Sequence, residues 1–446
     1  MKISVIGAGY LGLVSGVCLA SKGHTVCCVD IDREKVETIN CGEVPIYEEG
    51  LQDLLQTVIG NRFKASTDLR SSVLESEVTL IAVGTPFDDE QIDLSYVSQA
   101  AEYIGEALKE KEDYHSVFVC STVVPGTTES LIIPTLEEHS GKKAGEEFGA
   151  GMTPEFMKEG EAVEDFLYPD RLVLGGIDEQ SLSTMEALYS DFPDTDIIKT
   201  NPRTAEMIKY AANSFLATLI SFSNELGNVC AEIGGVDAVD VFQGVHLDKR
   251  LSPILEGGDR VIPDIVWYLA AGCGFGGSCL PKDVNALIKY GNDLGQEMEL
   301  LKSVVKTNQQ QPLQMLRLLK KEFPDLSALN VSVLGLAFKP GTDDVRESAS
   351  LQVIYELLKE GCQVTVFDPQ AAEMGRDALA EKMVLFANTL EEVVEGADAV
   401  LLLTSWPEFK EVSKILQKTS PSPLFIDGRR FINKSNVIKY RGIGLS

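Results

Sequence analysis

The sequence is short of basic residues and histidine, and of cysteine or apolar patterns with a diagnostic spacing. Its 446 residues hold 39 Lys and Arg against 68 Asp and Glu, a formal net charge of −29. Neutralising phosphates needs a basic surface, so the balance argues against binding nucleic acid or an anionic membrane. Any anionic ligand must therefore meet a local cluster of the few Lys and Arg residues. Four histidines, His24, His115, His139 and His246, are scattered, and nine cysteines form no CxxC pair. Neither a metal site nor a disulfide framework is expected, and free thiols fit a reducing cytoplasmic setting. The opening MKISVIGAGY reads at once as a strand and a turn, so no signal peptide is expected. The longest apolar run, Tyr210 to Ser223, includes Asn213. It is too short to span a bilayer and is expected as a buried helix.

What is present is a long globular chain, 44% hydrophobic, for which two or three domains are expected. Strand-like runs at Ile3–Ile6, Val26–Val29, Val78–Val83 and Val117–Cys120 alternate with helical patterns, and further strands are expected near Phe148–Gly151, Leu172–Leu174 and Ile197–Ile198. Such alternation predicts a parallel sheet with helices on both faces. A long helix is predicted from Thr204 to about Ile233, then a Gly- and Pro-rich segment to Pro281, then a helical stretch to about Leu319 with Pro312 as a break or start. The alternation restarts at NVSVLGLAF, with SLQVIYELLKEG as a helix, CQVTVFDP as a strand, and later strands at Ala399–Leu403 and Leu424–Ile426. The fold class is thus α/β: two Rossmann-like doubly wound parallel-sheet domains joined by a long central helix. The divisions fall at 1–200, 201–320 and 321–446.

In ISVIGAGYLG, Gly7, Gly9 and Gly12 have GxGxxG spacing between a strand and a helix. The first allows the tight turn, the second lets a pyrophosphate approach the backbone, and the third lets the helix pack closely. The helix N-terminus then offers its N–H groups and dipole to the phosphates. A second strand ends in Asp30, eighteen residues after Gly12. A carboxylate there accepts from both ribose hydroxyls and repels a 2′-phosphate, so NAD is expected rather than NADP; the competing reading is a purely structural turn. Thr85 in AVGTP and Thr122 in CST lie at later strand ends, where ligands of open sheets sit. Both are equally ordinary turn residues.

The segment CGFGGSCLPKD, Cys273 to Asp283, places Cys279 after Gly274, Gly276 and Gly277 and just before Lys282 and Asp283. A thiol at a helix start becomes nucleophilic, and Pro281 and Asp283 suit such a start. The bland reading, a small buried hydrophobe, fits the other eight cysteines better. Lys209 and Asn213 are one turn apart on the long helix. The pair reads either as an internal salt bridge or snorkelling Lys, or as an ammonium that stabilises an oxyanion. Glu155 and Glu159 in TPEFMKEG have the same spacing if helical, where exposed helix-start carboxylates are the favoured reading.

Taken together, VIGAGYLGLV, VDIDREKV, AVGTPF, STVVPGTT, TPEFMKEGEAVEDF, AEMIKYAANSFLATLISFSNEL, GFGGSCLPKD and GLAFKPGTDDVRES resemble the UDP-glucose/GDP-mannose 6-dehydrogenase family, in the family's order and from residue 1 to beyond Pro369. The resemblance implies an NAD-binding Rossmann domain, a central helix that supports a homodimer, and a C-terminal Rossmann-like domain for the nucleotide of a nucleotide sugar. It implies two NAD-linked oxidations of a C6 alcohol to a carboxylate. Carried over, Cys279 resembles the thiol that captures the C6 aldehyde. Lys209 and Asn213 would stabilise the C6 oxygen, with Asp283, Lys209 and Thr122 handling protons and water and Glu155 in acid–base work. The cofactor set becomes Gly7, Gly9, Tyr10, Leu11, Gly12, Asp30, Lys35, Thr85, Thr122, Glu159 and Arg346, the last resembling an arginine that reaches the NAD phosphates. On the substrate side stand Glu155, Phe156, Met157, Lys209, Asn213, Phe275, Gly276 and Lys339, with Arg250 resembling an arginine lent to the other subunit's substrate.

Three departures bear on the sugar. Thr153 replaces the family's usual Asn, STVVPGTT is closer to the GDP-mannose branch, and 23 residues separate Arg250 from Gly274. That last interval is about a dozen longer than in UDP-glucose enzymes. LDKRLSP, Leu247 to Pro253, matches the UDP-glucose group, so UDP-glucose is the first expectation and GDP-mannose or another nucleotide hexose the alternative. A non-catalytic NAD-binding protein is disfavoured because Cys279, Lys209 and Asp283 are all present, and a two-electron dehydrogenase or epimerase because neither needs the thiol.

Overall fold

The computed structural model describes residues 1–87, 91–192, 195–380 and 382–445. They form two compact units, Met1–Ala212 and Asn213–Ser446.

The first unit is built on eight strands: β1 Lys2–Ile6, β2 Thr25–Val29, β3 Phe63–Ser66, β4 Val78–Ile81, β5 His115–Val119, β6 Phe148–Met152, β7 Arg171–Gly176 and β8 Asp196–Thr200. Their order in the sheet is β3-β2-β1-β4-β5-β6-β7-β8. Strands β1, β4 and β5 are nearly continuous apolar runs because helices cover both faces. Leu13, Val17 and Phe63 belong to the core on one face, and Ile81, Ile104 and Leu136 to the core on the other. The order reverses at β1, between β2 and β4, so the carboxyl ends of β1 and β4 open the crevice where such sheets bind ligands.

The sheet is not wholly parallel, because β6 and β7 run antiparallel over Gly151↔Gly176 and Met152↔Gly175. The backbones approach so closely that a Cβ on Gly151 would stand 2.4 Å from the Gly175 carbonyl oxygen. The short strand β3 and the exposed β8, with Ile197 and Ile198 open to solvent, complete the two edges.

Helix Pro202–Ile233 begins in the first unit and ends in the second. The run Tyr210–Ser223 is not the buried helix expected. Phe215, Phe222 and Val229, at seven-residue spacing, are each at least half exposed, as is Ile233. They make an apolar stripe on one side.

The second unit continues with helices Ala238–His246, Leu280–Asp293, Glu299–Gln310 and Leu313–Glu322. The helical stretch expected after Asp283, with Pro312 as a break or start, is three helices, the last beginning at Pro312 as expected. Gly295 (φ +80°) and Met298 (φ +53°) turn the chain at the first break, and Pro312 caps the third helix. The sheet that follows is wholly parallel, in the order β11-β10-β9-β12-β13-β14. Its strands are β9 Asn330–Leu334, β10 Gln363–Phe367, β11 Val384–Phe386, β12 Ala399–Leu402, β13 Leu424–Asp427 and β14 Tyr440–Gly442. One core joins this sheet to Phe242, Leu269, Met315 and Leu319. Arg430 forks onto Asp237 at 2.7 and 2.8 Å and Lys434 joins at 2.9 Å, tying the start of helix Ala238–His246 to the loop after β13. The two cations hold the Asp237 carboxyl far below the usual range.

Candidate active site

The glycine loop explains itself atom by atom. Gly7 has φ +104°, and a Cβ there would lie 2.7 Å from the Ala82 carbonyl oxygen at the end of β4. A Cβ on Gly12 would lie 1.9 Å from the Gly7 oxygen, so helix Tyr10–Ser21 could not seat. A Cβ on Gly9 would meet nothing within 4 Å. No packing demands glycine at that position, yet it stands at the N-terminus of a helix that no side chain caps. That is what a cradle for a pyrophosphate requires. Asp30, at the end of β2, accepts from Ala8 N–H at 2.8 Å and Asp32 N–H at 3.0 Å and pairs with Lys35 at 3.3 Å. Its carboxylate is therefore fixed beside the loop, and Lys35 belongs with it. The residues fit NAD.

Sequence reading missed Glu48, a buried carboxylate that ties two distant segments to its own. It accepts from the Tyr10 hydroxyl, from Gly160 N–H at 2.6 Å and from Ala162 N–H at 2.7 Å. Burial and this carboxylate push the Tyr10 hydroxyl's pKa far up. Tyr10 is thereby roped to the segment 153–161 that bears Glu155, Phe156, Met157 and Glu159.

That segment is not helical, contrary to the paired-carboxylate expectation. Pro154 forces an extended backbone on its neighbour, and Gly160 turns the chain at φ +83°. Glu155 is partly buried rather than an exposed helix-start group. Burial raises its carboxyl to about 7, against the opposing pull of the Tyr189 hydroxyl and Lys209. The Tyr189 hydroxyl donates to Glu155 Oε1 at 3.3 Å and receives from Thr153 Oγ1 at 3.3 Å. Thr153 thus works in a relay that an Asn there would alter. Lys209 Nζ donates to the Glu155 carbonyl at 2.6 Å and stands 5.2 Å from the Phe156 ring, whose face also carries the Arg171 guanidinium. One turn before Lys209, the buried Glu206 accepts from Gly126 N–H and from Thr128 N–H at 2.8 Å, anchoring the loop that follows Thr122. Thr85 Oγ1 donates to the Thr122 carbonyl at 2.8 Å, so those two strand ends are joined.

In the second unit, Asn213 and Asp283 meet: Asn213 Nδ2 donates to Asp283 Oδ2 at 2.6 Å, and Lys282 Nζ to Oδ1 at 2.6 Å. Asp283 is 1% exposed. Cys279 is the N-cap of helix Leu280–Asp293 and is exposed, whereas seven of the other eight thiols are buried. A thiol there meets the positive end of the helix with a carboxylate one turn inside. Gly276 and Gly277 admit Glu347 and Phe338 so closely that a Cβ would stand 2.2 and 2.8 Å from them. That brings Phe275 and Gly276 beside the turn that carries Lys339 and Arg346. The Arg346 guanidinium forks on Asp344 at 2.7–3.0 Å. Arg250 stands apart, forked on Asp248 with its side chain 88% exposed. Among the described residues, no group of three or more His, Cys, Asp and Glu could hold a metal ion.

A dinucleotide needs a phosphate cradle and a ribose carboxylate, and oxidation beyond an aldehyde needs a nucleophile to restore a hydride donor. Having the means for each, the chain falls in the class of NAD-dependent dehydrogenases. Its sequence matches the UDP-glucose/GDP-mannose dehydrogenase family models over all three parts: the NAD binding domain at 1–193, the central domain at 203–310 and the UDP binding domain at 332–434. It is 39% identical to a UDP-glucose 6-dehydrogenase of Haloferax volcanii, covering 99% of this chain and 100% of that one. It is 36% identical to a GDP-mannose 6-dehydrogenase of Azotobacter vinelandii, covering 93% and 94%. A UDP-glucose dehydrogenase structure from Pyrobaculum islandicum superposes with TM-score 0.90 at 37% identity, covering 100% of this chain and 98% of the other. The chain belongs to the UDP-glucose/GDP-mannose dehydrogenase family.

Proposed function

We propose that the chain oxidises the C6 hydroxymethyl of UDP-glucose to a carboxylate, with Cys279 as the covalent nucleophile. The observation that carries this is the exposed thiol at a helix N-terminus, with the buried Asp283 one turn inside. When bound, NAD supplies the hydride acceptor for both oxidations. Cys279 Sγ adds to C6 of the aldehyde and the carbonyl oxygen gains a proton, giving a thiohemiacetal. Loss of the second hydride and of the hydroxyl proton leaves a thioester. Water then adds to C6, the C–S bond breaks, and the carboxylate departs as the thiol is restored. Lys209 and Asn213 stabilise oxygen charge on C6, Glu155 and Thr122 move protons, and Asp283 takes a proton from the attacking water. A Glu155 carboxyl titrating near 7 suits that part. The Haloferax relative and LDKRLSP favour UDP-glucose; STVVPGTT and the Azotobacter relative support GDP-mannose as a second reading.

The remaining assignments belong to the same proposal. NAD is held at Gly7, Gly9, Tyr10, Leu11, Gly12, Asp30, Lys35, Thr85, Thr122, Glu159 and Arg346. The sugar nucleotide meets Phe156, Met157, Arg250, Phe275, Gly276 and Lys339. Residues 201–320 form the dimerisation part between 1–200 and 321–446, and the exposed stripe Phe215, Phe222, Val229 supports a homodimer. Free thiols fit a cytoplasmic location. The test is NADH formed per sugar consumed, with UDP-glucose and GDP-mannose at equal NAD. Two NADH with UDP-glucose, and no acid from Cys279→Ala, is the expected result. One NADH with released aldehyde overturns the thioester route, and faster turnover of GDP-mannose overturns the choice of nucleotide.

A further inference from the structure

The loop that delivers Cys279 is gripped by amide side chains from two helices. Gly272 is held at both backbone groups. Its N–H donates to Asn224 Oδ1 at 2.8 Å, and its carbonyl accepts from Gln311 Nε2 at 2.8 Å. Both side chains are buried, and Asn228 Nδ2 donates to Gln311 Oε1 at 2.9 Å, which orients that amide. Further along, Asn308 pairs with both groups of Phe275: the Phe275 N–H donates to Oδ1 at 2.8 Å, and Nδ2 donates to the Phe275 carbonyl at 2.9 Å. Gly274 between them has φ +92°, and a Cβ there would lie 2.6 Å from Asn308 Oδ1. From the other side Arg429 donates to the Gly274 carbonyl at 2.9 Å and to the Leu403 carbonyl at 2.7 Å.

A loop of small residues is mobile by default. An amide bonded to both groups of one residue fixes that residue's backbone in position and in rotation, as a strand partner would. Phe275 lies four residues before Cys279, on the short approach to helix Leu280–Asp293. We propose that Asn308 is a positioning residue for Cys279: its grip on Phe275 sets where the thiol stands, and so governs the second, thiol-dependent oxidation. This rests on the reading that Cys279 captures the aldehyde.

The test uses the full-length enzyme with Asn308→Ala and Asn308→Asp. The second is isosteric and turns the donor into an oxygen facing the Phe275 carbonyl, so it carries the test if the first does not fold. Misplacing a reacting group by about 1 Å costs roughly 10²-fold in rate. The expected result is a loss of that order in acid formation, with NADH per sugar falling below two and aldehyde released. At saturating sugar the first oxidation, and NAD binding, should stay within about threefold of wild type, because the thiol takes no part in them. A folded variant that keeps two NADH per sugar and near-normal acid formation overturns the proposal. So does equal damage to both oxidations, which marks a merely structural role. Alkylation of Cys279 by iodoacetamide gives an independent readout: the proposal expects a rate clearly different from wild type, and an unchanged rate overturns it. If wild type oxidises no nucleotide sugar, the functional reading fails while the alkylation comparison still decides the role of Asn308.

Discussion

Alanine at Gly9 and at Gly12 should fail in opposite ways, although the two glycines sit three residues apart in one loop. At Gly12 the new methyl would lie 1.9 Å from the Gly7 carbonyl oxygen and 3.2 Å from Ala82 Cβ. Helix Tyr10–Ser21 must then lift from the strand ends. Such overpacking costs about 1–3 kcal/mol. In a unit the size of Met1–Ala212, each kcal/mol lowers Tm by about 2–4 °C, so a fall of roughly 2–12 °C is expected. At Gly9 the methyl meets nothing within 4 Å, and φ is −74°, which any residue adopts. Folding should change by less than about 1 kcal/mol, the ordinary cost of Ala at an N-cap. In the proposed cradle, the space the methyl fills is the phosphate's. Losing one charge-assisted hydrogen bond costs about 1.5–3 kcal/mol, or roughly 10- to 100-fold in Kd. Thermal melts and calorimetric titration with NAD separate the two effects. If Gly9→Ala binds NAD as wild type does, or melts as early as Gly12→Ala, the assignment of the cradle is wrong.

Asp30 should select NAD over NADP. Two like charges about 4 Å apart repel by about 4 kcal/mol near a protein surface, and Lys35 offsets part of this, so a preference of roughly 10²-fold or more in kcat/KM is expected; equal values would refute it. Tyr189→Phe removes a hydrogen bond that favours the Glu155 carboxylate, now titrating at about 7, so the acid limb of the pH–rate profile should move to higher pH; a limb that stays in place, or moves down, removes Glu155 from the proton chemistry. Asp237→Asn leaves Arg430 without its counter-charge and should destabilise the second unit by about 3 kcal/mol in urea titrations. Because the folded Asp237 pKa is depressed, wild type holds this stabilisation above the unfolded value near ~4 and loses it as pH falls below, so the two proteins should converge in acid.

The sequence was most readable where chemistry is local. Gly7, Gly9, Gly12 and Asp30 lie on one strand–turn–helix–strand path, and their spacing alone implies the contacts found. Cys279 was legible for the same reason, with Pro281 and Asp283 beside it at a helix start. Glu155 and Glu159 misled because i and i+4 spacing puts two carboxylates on one face only in a helix, and residues 153–158 form none. Strands β3, β11 and β14 were missed since three or four residues at an edge need no apolar run. Glu48, Glu206, Tyr189 and Asn308 gave no signal at all. Each is a polar residue whose partner is a backbone group or side chain 33 to 114 positions away, and nothing in its own neighbourhood marks it. The antiparallel β6–β7 pair shows only in Gly151, Gly175 and Gly176, which are uninformative until the two strands are known to touch.

Glu48 also bears on how this fold can be rebuilt. One carboxylate accepts hydrogen bonds from three donors, the Tyr10 hydroxyl in the glycine loop and the peptide N–H groups of Gly160 and Ala162. The glycine loop, Glu48 and the segment 153–162 therefore form a single exchangeable part even though the chain visits them far apart. A chimera that imports GAGYLG from a distant dehydrogenase with Phe in place of Tyr10 would strand a buried anion one donor short. Importing the segment around Glu155 onto a host without Glu48 would leave two peptide N–H groups facing nothing. Exchange of cofactor or sugar preference by grafting should accordingly succeed only when residues 7–12, 48 and 153–162 move together.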